Sequence, residues 1–172
     1  MSNDVAENLN QLNSVHQDIA AHTFRQCCTS EAWIKRMVKG RPYKDDAALI
    51  SAADKYWQGL SESDYLQAFD GHPKIGDVNS LKVKYANTKV LAAGEQSLVN
   101  DASDDIINTI AKGNSDYESK FGFIFIVCAT GKSAAEMSEL LQQRLINNRA
   151  TELLNAAEEQ RKIFQIRLRK LL

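Results

Sequence analysis

Phe121-Gly122-Phe123-Ile124-Phe125-Ile126-Val127-Cys128-Ala129 is the most apolar run in the chain, and the fold turns on what it becomes. Its length and β-branched content suit a buried strand. The Thr130-Gly131-Lys132-Ser133 that follows, with a helical pattern behind it, imitates a strand, phosphate loop and helix. A Walker loop needs another glycine about five residues before the Gly-Lys-Ser. This chain has Ile126 there, so no backbone cradle for phosphate forms. No second strand-like run offers a partner, and an unpaired strand does not make a sheet. The run is therefore read as the buried central segment of an all-α domain.

Helical periodicity surrounds it. Downstream, Ser133 with Glu136 forms a capping box opening a helix to about Asn148, and a last helix runs from Thr151 to Leu172. That helix carries an apolar stripe of Leu153, Ala156, Ala157, Ile163, Phe164, Leu168 and Leu171, with Arg167 inside it. Arg144 raises the same question among Met137, Leu140, Leu141 and Leu145. An arginine on a burying face keeps its charge and needs an anion, either a structural carboxylate or a bound substrate. Upstream, Ile106–Lys112 and Tyr117–Phe121 read as two short helical pieces.

Nearer the N-terminus, residues 1–12 read as a polar, frayed lead-in. Ser14 with Gln17 opens a first helix carrying Val15, Ile19, Ala20 and Phe24, and Ser30 caps a second with Trp33, Ile34 and Met37 on one side. Asp45 or Asp46 opens a third, with Ala48, Leu49, Ala52, Ala53 and Tyr56 inward, and Ser61 with Asp64 a fourth. Two further helices are expected, one with Val78, Leu81 and Tyr85 and one over 89–99 capped by Thr88. These sum to a single-domain bundle of about eight or nine helices over residues 13–172, a size that buries a full core.

Composition narrows the function. The 172 residues hold 21 basic and 22 acidic side chains, a net charge of -1, so no global field draws nucleic acid or anionic lipid. Only 8 Gly and 2 Pro accompany 44% hydrophobic residues, which favours helices over a turn-rich β fold. Cys27, Cys28 and Cys128 lack a CxxC pair and read as reduced thiols of a cytoplasmic protein. The first residues are polar and no run approaches the roughly 18 apolar residues of a membrane span, so neither a secretory leader nor a membrane helix is expected.

The residues suited to chemistry are few. In Gly71-His72-Pro73-Lys74-Ile75-Gly76-Asp77, Pro73 holds His72 out of the helical region between two glycines, which aims the imidazole from a shaped turn. Glu95 has Leu91, Leu98 and Val99 around it on a helical face. Desolvation there would raise its pKa toward proton transfer, although a buried ion pair is the commoner use. His16 and His22 are too far apart along a helix for a two-histidine metal face and read as surface residues, and no hydrolase, zinc or dinucleotide motif is present.

Taken together, His72-Pro73-Lys74-Ile75-Gly76-Asp77, Glu95-Gln96, Phe121-Gly122-Phe123 leading into Phe125–Ala129, Arg144-Leu145 with Asn147 or Asn148, and Arg167-Leu168 resemble 2-oxo-4-hydroxy-4-carboxy-5-ureidoimidazoline (OHCU) decarboxylases. The resemblance covers nearly the whole chain. It implies an all-helical enzyme of urate breakdown that makes (S)-allantoin and CO2 without cofactor or metal, with a homodimer as the implied assembly. It places the catalytic pair on His72 and Glu95. Substrate contacts fall on Pro73, Gln96, the backbone near Val127, and Arg167, with Arg144 the alternative arginine. Many members have serine shortly before the Glu-Gln pair. Here those positions are Ala92 and Ala93, leaving Ser97 or Thr88 to supply a hydroxyl. The competing readings are a helical interaction module without catalysis and a decarboxylase of a different cyclic ureide.

Overall fold

Eight helices, helical residues at 78, 79 and 81 where a helix with Val78 and Leu81 was expected, and no strand make up the described part of the protein, a computed structural model that describes residues 6–73, 78, 79, 81 and 104–172. The eight are α1 (Leu9–Ser14), α2 (Gln17–Arg25), α3 (Glu31–Lys39), α4 (Asp46–Trp57), α5 (Glu62–Asp70), α6 (Asp104–Phe121), α7 (Ala134–Leu145) and α8 (Arg149–Leu171). The all-α expectation holds. Glu95, Gln96, Ala92, Ala93, the expected 89–99 helix and the Lys74–Asp77 end of the histidine loop lie outside the described residues.

Side-chain caps start most of the helices where the sequence places them. Ser30, Asp45, Ser61 and Ser133 accept from backbone N–H groups of the first turn, and Ser61/Asp64 and Ser133/Glu136 form reciprocal capping boxes. The N-terminus departs from expectation. Ser14 ends α1 instead of opening α2, whose cap is the exposed His16, with Nδ1 accepting from Asp18 N at 3.3 Å. The lead-in is also ordered from Ala6 onward: Asn8 caps α1, Leu12 is buried, and buried Ala6 donates its N–H to Thr23 Oγ1. Asn148, not Thr151, caps α8, accepting from Thr151 N at 2.8 Å.

The chain forms two compact units, residues 1–72 with 156–172, and residues 73–155. In the first, α2 packs on α3, and α3 on α4 and α5. Its core is aromatic. Phe164 stacks on Trp33 at 4.9 Å between ring centroids and meets Trp57 edge-on at 5.6 Å, while Phe24 meets Trp33 edge-on at 6.0 Å. Each such ring contributes roughly 1.5–3 kcal/mol by burial. The indole N–H groups find backbone carbonyls, Trp33 on Ala53 O and Trp57 on Ala157 O, so no polar cost is left. On α4 the buried line is Leu49, Ala53 and Trp57, with the expected Ala48, Ala52 and Tyr56 half-buried beside it.

In the second unit α6 packs on α7. The two expected short pieces are one helix that continues through Gly113. A Cβ there would come within 2.6 Å of Leu141 Cδ2, so the glycine marks close approach by α7 rather than a break. The apolar run 122–129 is neither helix nor strand, with Phe123, Ile126 and Cys128 buried. Cationic side chains donate to carbonyls along and beside it. Arg149 Nε donates to Phe121 O at 3.0 Å, Arg144 Nη1 to Ile126 O at 2.5 Å, and Lys132 Nζ to Cys128 O at 2.8 Å. These bonds let the run be buried without a sheet.

Candidate active site

His72 follows directly on α5, its backbone N–H donating to Phe69 O at 3.1 Å. Gly71 ahead of it has φ -72°, an ordinary helical value, so the expected glycine turn is not what the residue supplies. A Cβ at Gly71 would lie 2.1 Å from Thr29 Oγ1, and that hydroxyl in turn donates to Gln67 O at 3.0 Å. The glycine thus seats the end of α5 against the segment before α3, and this fixes where the imidazole emerges. Pro73, next in the chain, is exposed.

The half-buried imidazole meets α8. Its Nε2 is 2.5 Å from Gln160 Oε1, and Gln160 is fully buried. Burial holds the His72 pKa below 6.5. The hydrogen bond to Gln160 acts against that shift and the positive charge of Arg167 acts with it, so the ring is neutral near pH 7. A neutral imidazole can accept a proton, which a charged one cannot.

Arg167 stands about two turns beyond Gln160 on nearly the same helical face. It is exposed rather than buried in the stripe, contrary to expectation. Nη1 donates to Cys27 O at 3.2 Å, leaving Nε and Nη2 without a protein partner among the described residues. A fork of charged donors with two members open to solvent is suited to a carboxylate or a polarised carbonyl. Beside it, burial pushes the Cys27 and Cys28 thiols up to about 12 despite the guanidinium, so neither is a nucleophile.

The buried arginine is Arg144, and its anion is internal. Nε donates to Glu152 Oε1 at 2.6 Å, Nη2 to Tyr117 Oη at 3.2 Å and Nη1 to Ile126 O, while its plane lies 4.7 Å from the Phe125 centroid. Glu152 also accepts from Tyr117 Oη at 2.6 Å, Asn147 Nδ2 at 2.9 Å and Asn155 Nδ2 at 2.8 Å. Burial pushes the Glu152 carboxyl up, but these hydrogen bonds and the Arg144 charge together bring it below its ordinary value. With its donors engaged inside the protein, Arg144 is a structural residue. Sequence pattern missed Glu152 and Gln160 because both are polar. Their signal was spacing, since 152, 156, 160, 164 and 168 form one buried ridge with Ala156, Phe164 and Leu168. Val127 is half-buried on the apolar run.

Among the described residues no group of His, Cys, Asp or Glu is arranged to hold a metal, and no helix is long and apolar enough to cross a membrane.

Comparison with known proteins supplies the family. The chain is 32% identical over 154 residues to the uric acid degradation bifunctional protein TTL of Arabidopsis thaliana, covering 90% of this chain and 48% of that protein. It is 27% identical over 164 residues to the uric acid degradation bifunctional protein of a Bacillus species, covering 95% of this chain and 32% of that one. It thus spans half or less of the length of these relatives. A crystal structure of an OHCU decarboxylase in the presence of (S)-allantoin matches with TM-score 0.68 and 33% identity, covering 86% of this chain and 95% of the other. The OHCU decarboxylase family model matches residues 13–169, and the chain belongs to that family.

Proposed function

We propose that the protein decarboxylates OHCU to (S)-allantoin and CO2, a step of urate degradation, and that residues 13–172 act as one functional domain. The observation that carries this reading is a neutral His72 held on the α8 face that also presents the open guanidinium of Arg167, in a chain that belongs to this family.

The chemistry asks little beyond such groups. OHCU carries a hydroxyl and a carboxylate on one ring carbon beside a ring C=N bond. When the bond to the carboxylate breaks, its electron pair moves into the ring and the C=N nitrogen takes up the charge and then a proton. The product of that step is an enol, which becomes allantoin by losing the hydroxyl proton and gaining one at the ureido-bearing carbon. The substrate is its own electron sink, so the reaction is proposed to run without cofactor or metal.

His72 and Glu95 are assigned to the hydroxyl and to the proton movements. Gln96, Pro73 and the backbone near Val127 are assigned to the ring, and Arg167 to its anionic or carbonyl oxygens. Proton delivery from one face gives one enantiomer. A cytoplasmic homodimer is the setting in which we place this activity.

The test generates OHCU in situ from urate with urate oxidase and hydroxyisourate hydrolase and follows allantoin by circular dichroism. The wild type is expected to give a rapid signal of one sign. His72→Ala is expected to lose it by about a hundred-fold or more while keeping its far-UV helical spectrum. A wild-type trace that matches the slow racemic decay without protein would reject the proposal.

A further inference from the structure

We infer that Gln160 is a positioning residue for His72: its buried side-chain carbonyl fixes the imidazole as the Nε2–H tautomer and makes Nδ1 the nitrogen that meets substrate. The inference rests on the decarboxylase reading and adds to it which nitrogen works and what sets it.

Three observations support it. The first is the contact itself, Gln160 Oε1 to His72 Nε2 at 2.5 Å. An amide oxygen only accepts, so Nε2 carries the proton, and in a neutral ring Nδ1 then carries the lone pair. The second is that Gln160 cannot drift. It has no exposed surface, and it lies on the buried ridge of α8 one turn before Phe164, which is held between Trp33 and Trp57. The third is that the other end of the amide is unsatisfied: Gln160 Nε2 is buried with no hydrogen-bond partner among the described residues. Gln165 on the same helix also leaves one amide end unpaired, but it spends the other on Ile50 O and Asp54, whereas Gln160 makes its bond to the imidazole, and that partner is what ties Gln160 to the ring.

The choice of an amide also has a chemical consequence. A carboxylate behind a histidine stabilises the imidazolium and raises its pKa. An uncharged amide fixes the tautomer with much less of that effect. Among the described residues, Arg167 on α8 is the charged group whose field reaches His72, and it too favours the neutral ring. From the segment after α2, Cys27 and Cys28 lie near the same guanidinium, and their thiols, pushed up to about 12, remain uncharged. His72 therefore stays available as a proton acceptor in neutral solution, and activity is expected to fall as pH drops through its pKa.

The experiment combines 15N NMR of the His72 ring with pH profiles of kcat and kcat/KM for OHCU turnover in wild type, Gln160→Leu and Gln160→Glu. The wild-type ring is expected to show Nε2–H. Q160L should lose that tautomer preference, lower kcat roughly ten-fold or more with KM within about two-fold, and move the acid limb to lower pH. Q160E should move the limb to higher pH. Opposite displacements by two variants of similar size are not expected from a loss of packing alone. An Nδ1–H ring in the wild type overturns the inference, and so does an acid limb common to all three proteins. The wild-type NMR measurement decides the tautomer even if Q160L fails to fold. A wild type that shows no turnover rejects the proposed function instead, and does so before any variant is compared.

Discussion

Two polar constellations, one in each compact unit, are built on opposite principles. Around Glu152 the positions are filled: the carboxylate accepts from Tyr117, Arg144, Asn147 and Asn155, and the Arg144 guanidinium spends its remaining donors on Tyr117 and Ile126. Around Gln160, among the described residues, His72 is held by one nitrogen, Gln160 Nε2 has no partner, and Arg167 uses one donor. Saturation marks the first as scaffold, and the second is where we propose that substrate binds. Charge and burial alone would have ranked them the other way, because Arg144 is the buried cation and Arg167 the exposed one.

The largest effect that would break this contrast lies in the saturated cluster. Glu152→Ala strands the Arg144 charge in the core and is expected to cost about 3–5 kcal/mol in urea unfolding. A loss below about 1 kcal/mol would show that the cluster is not scaffold. Acid should act on the same group. The folded pKa of Glu152 is depressed from 4.5, so its contribution is complete above that value and is lost as pH falls through the depressed one. His72, depressed from 6.5, gives up its own contribution at higher pH, as pH falls through its folded pKa. Wild-type stability should therefore decline in two stages on acidification, and Glu152→Gln should shrink the lower stage, leaving the part that Glu158, also depressed by Arg161, contributes.

A smaller effect tests the open side. Arg167→Gln is expected to leave stability within about 0.5 kcal/mol, as for a surface position, while raising the KM for OHCU about ten-fold. An unchanged KM with lowered stability would reverse its assignment and make Arg167 a tether for the Cys27 carbonyl. The smallest effect concerns the thiols beside it. Cys27 and Cys28 should react with a disulfide reagent at pH 8 far more slowly in the native protein than in urea, because burial keeps them protonated.

Local rules carried the fold a long way. Capping serines at 30, 61 and 133 and the 3.6-residue period placed most helix starts, and rejecting the phosphate loop at Ile126 kept the apolar run out of a sheet. What was not legible depended on partners distant in sequence. The helix through Gly113 was read as broken because its contact with Leu141 lies on another helix. Arg167 was read as buried because a helical wheel sees apolar neighbours but not where the core ends. Of the site, His72 and Arg167 were named from sequence and share the α8 face. Glu152 and Gln160 were passed over because hydrophobic pattern is blind to buried polar residues, however regular their spacing. Gly71 was read as freedom for a sharp turn, whereas crowding by Thr29 is what requires a glycine there.

The apolar run at 122–129 also has a meaning for the life of the chain outside its native state. Phe-Ile-Phe-Ile-Val over 123–127 has the composition of a segment that stacks with copies of itself, being β-branched, aromatic, uncharged and free of proline. In the folded protein Arg144, Arg149 and Lys132 occupy carbonyls along and beside it, at positions where another strand would bind. The cations that make burial possible without a sheet thus also act as gatekeepers against cross-β assembly, and events that free them expose an aggregation nucleus.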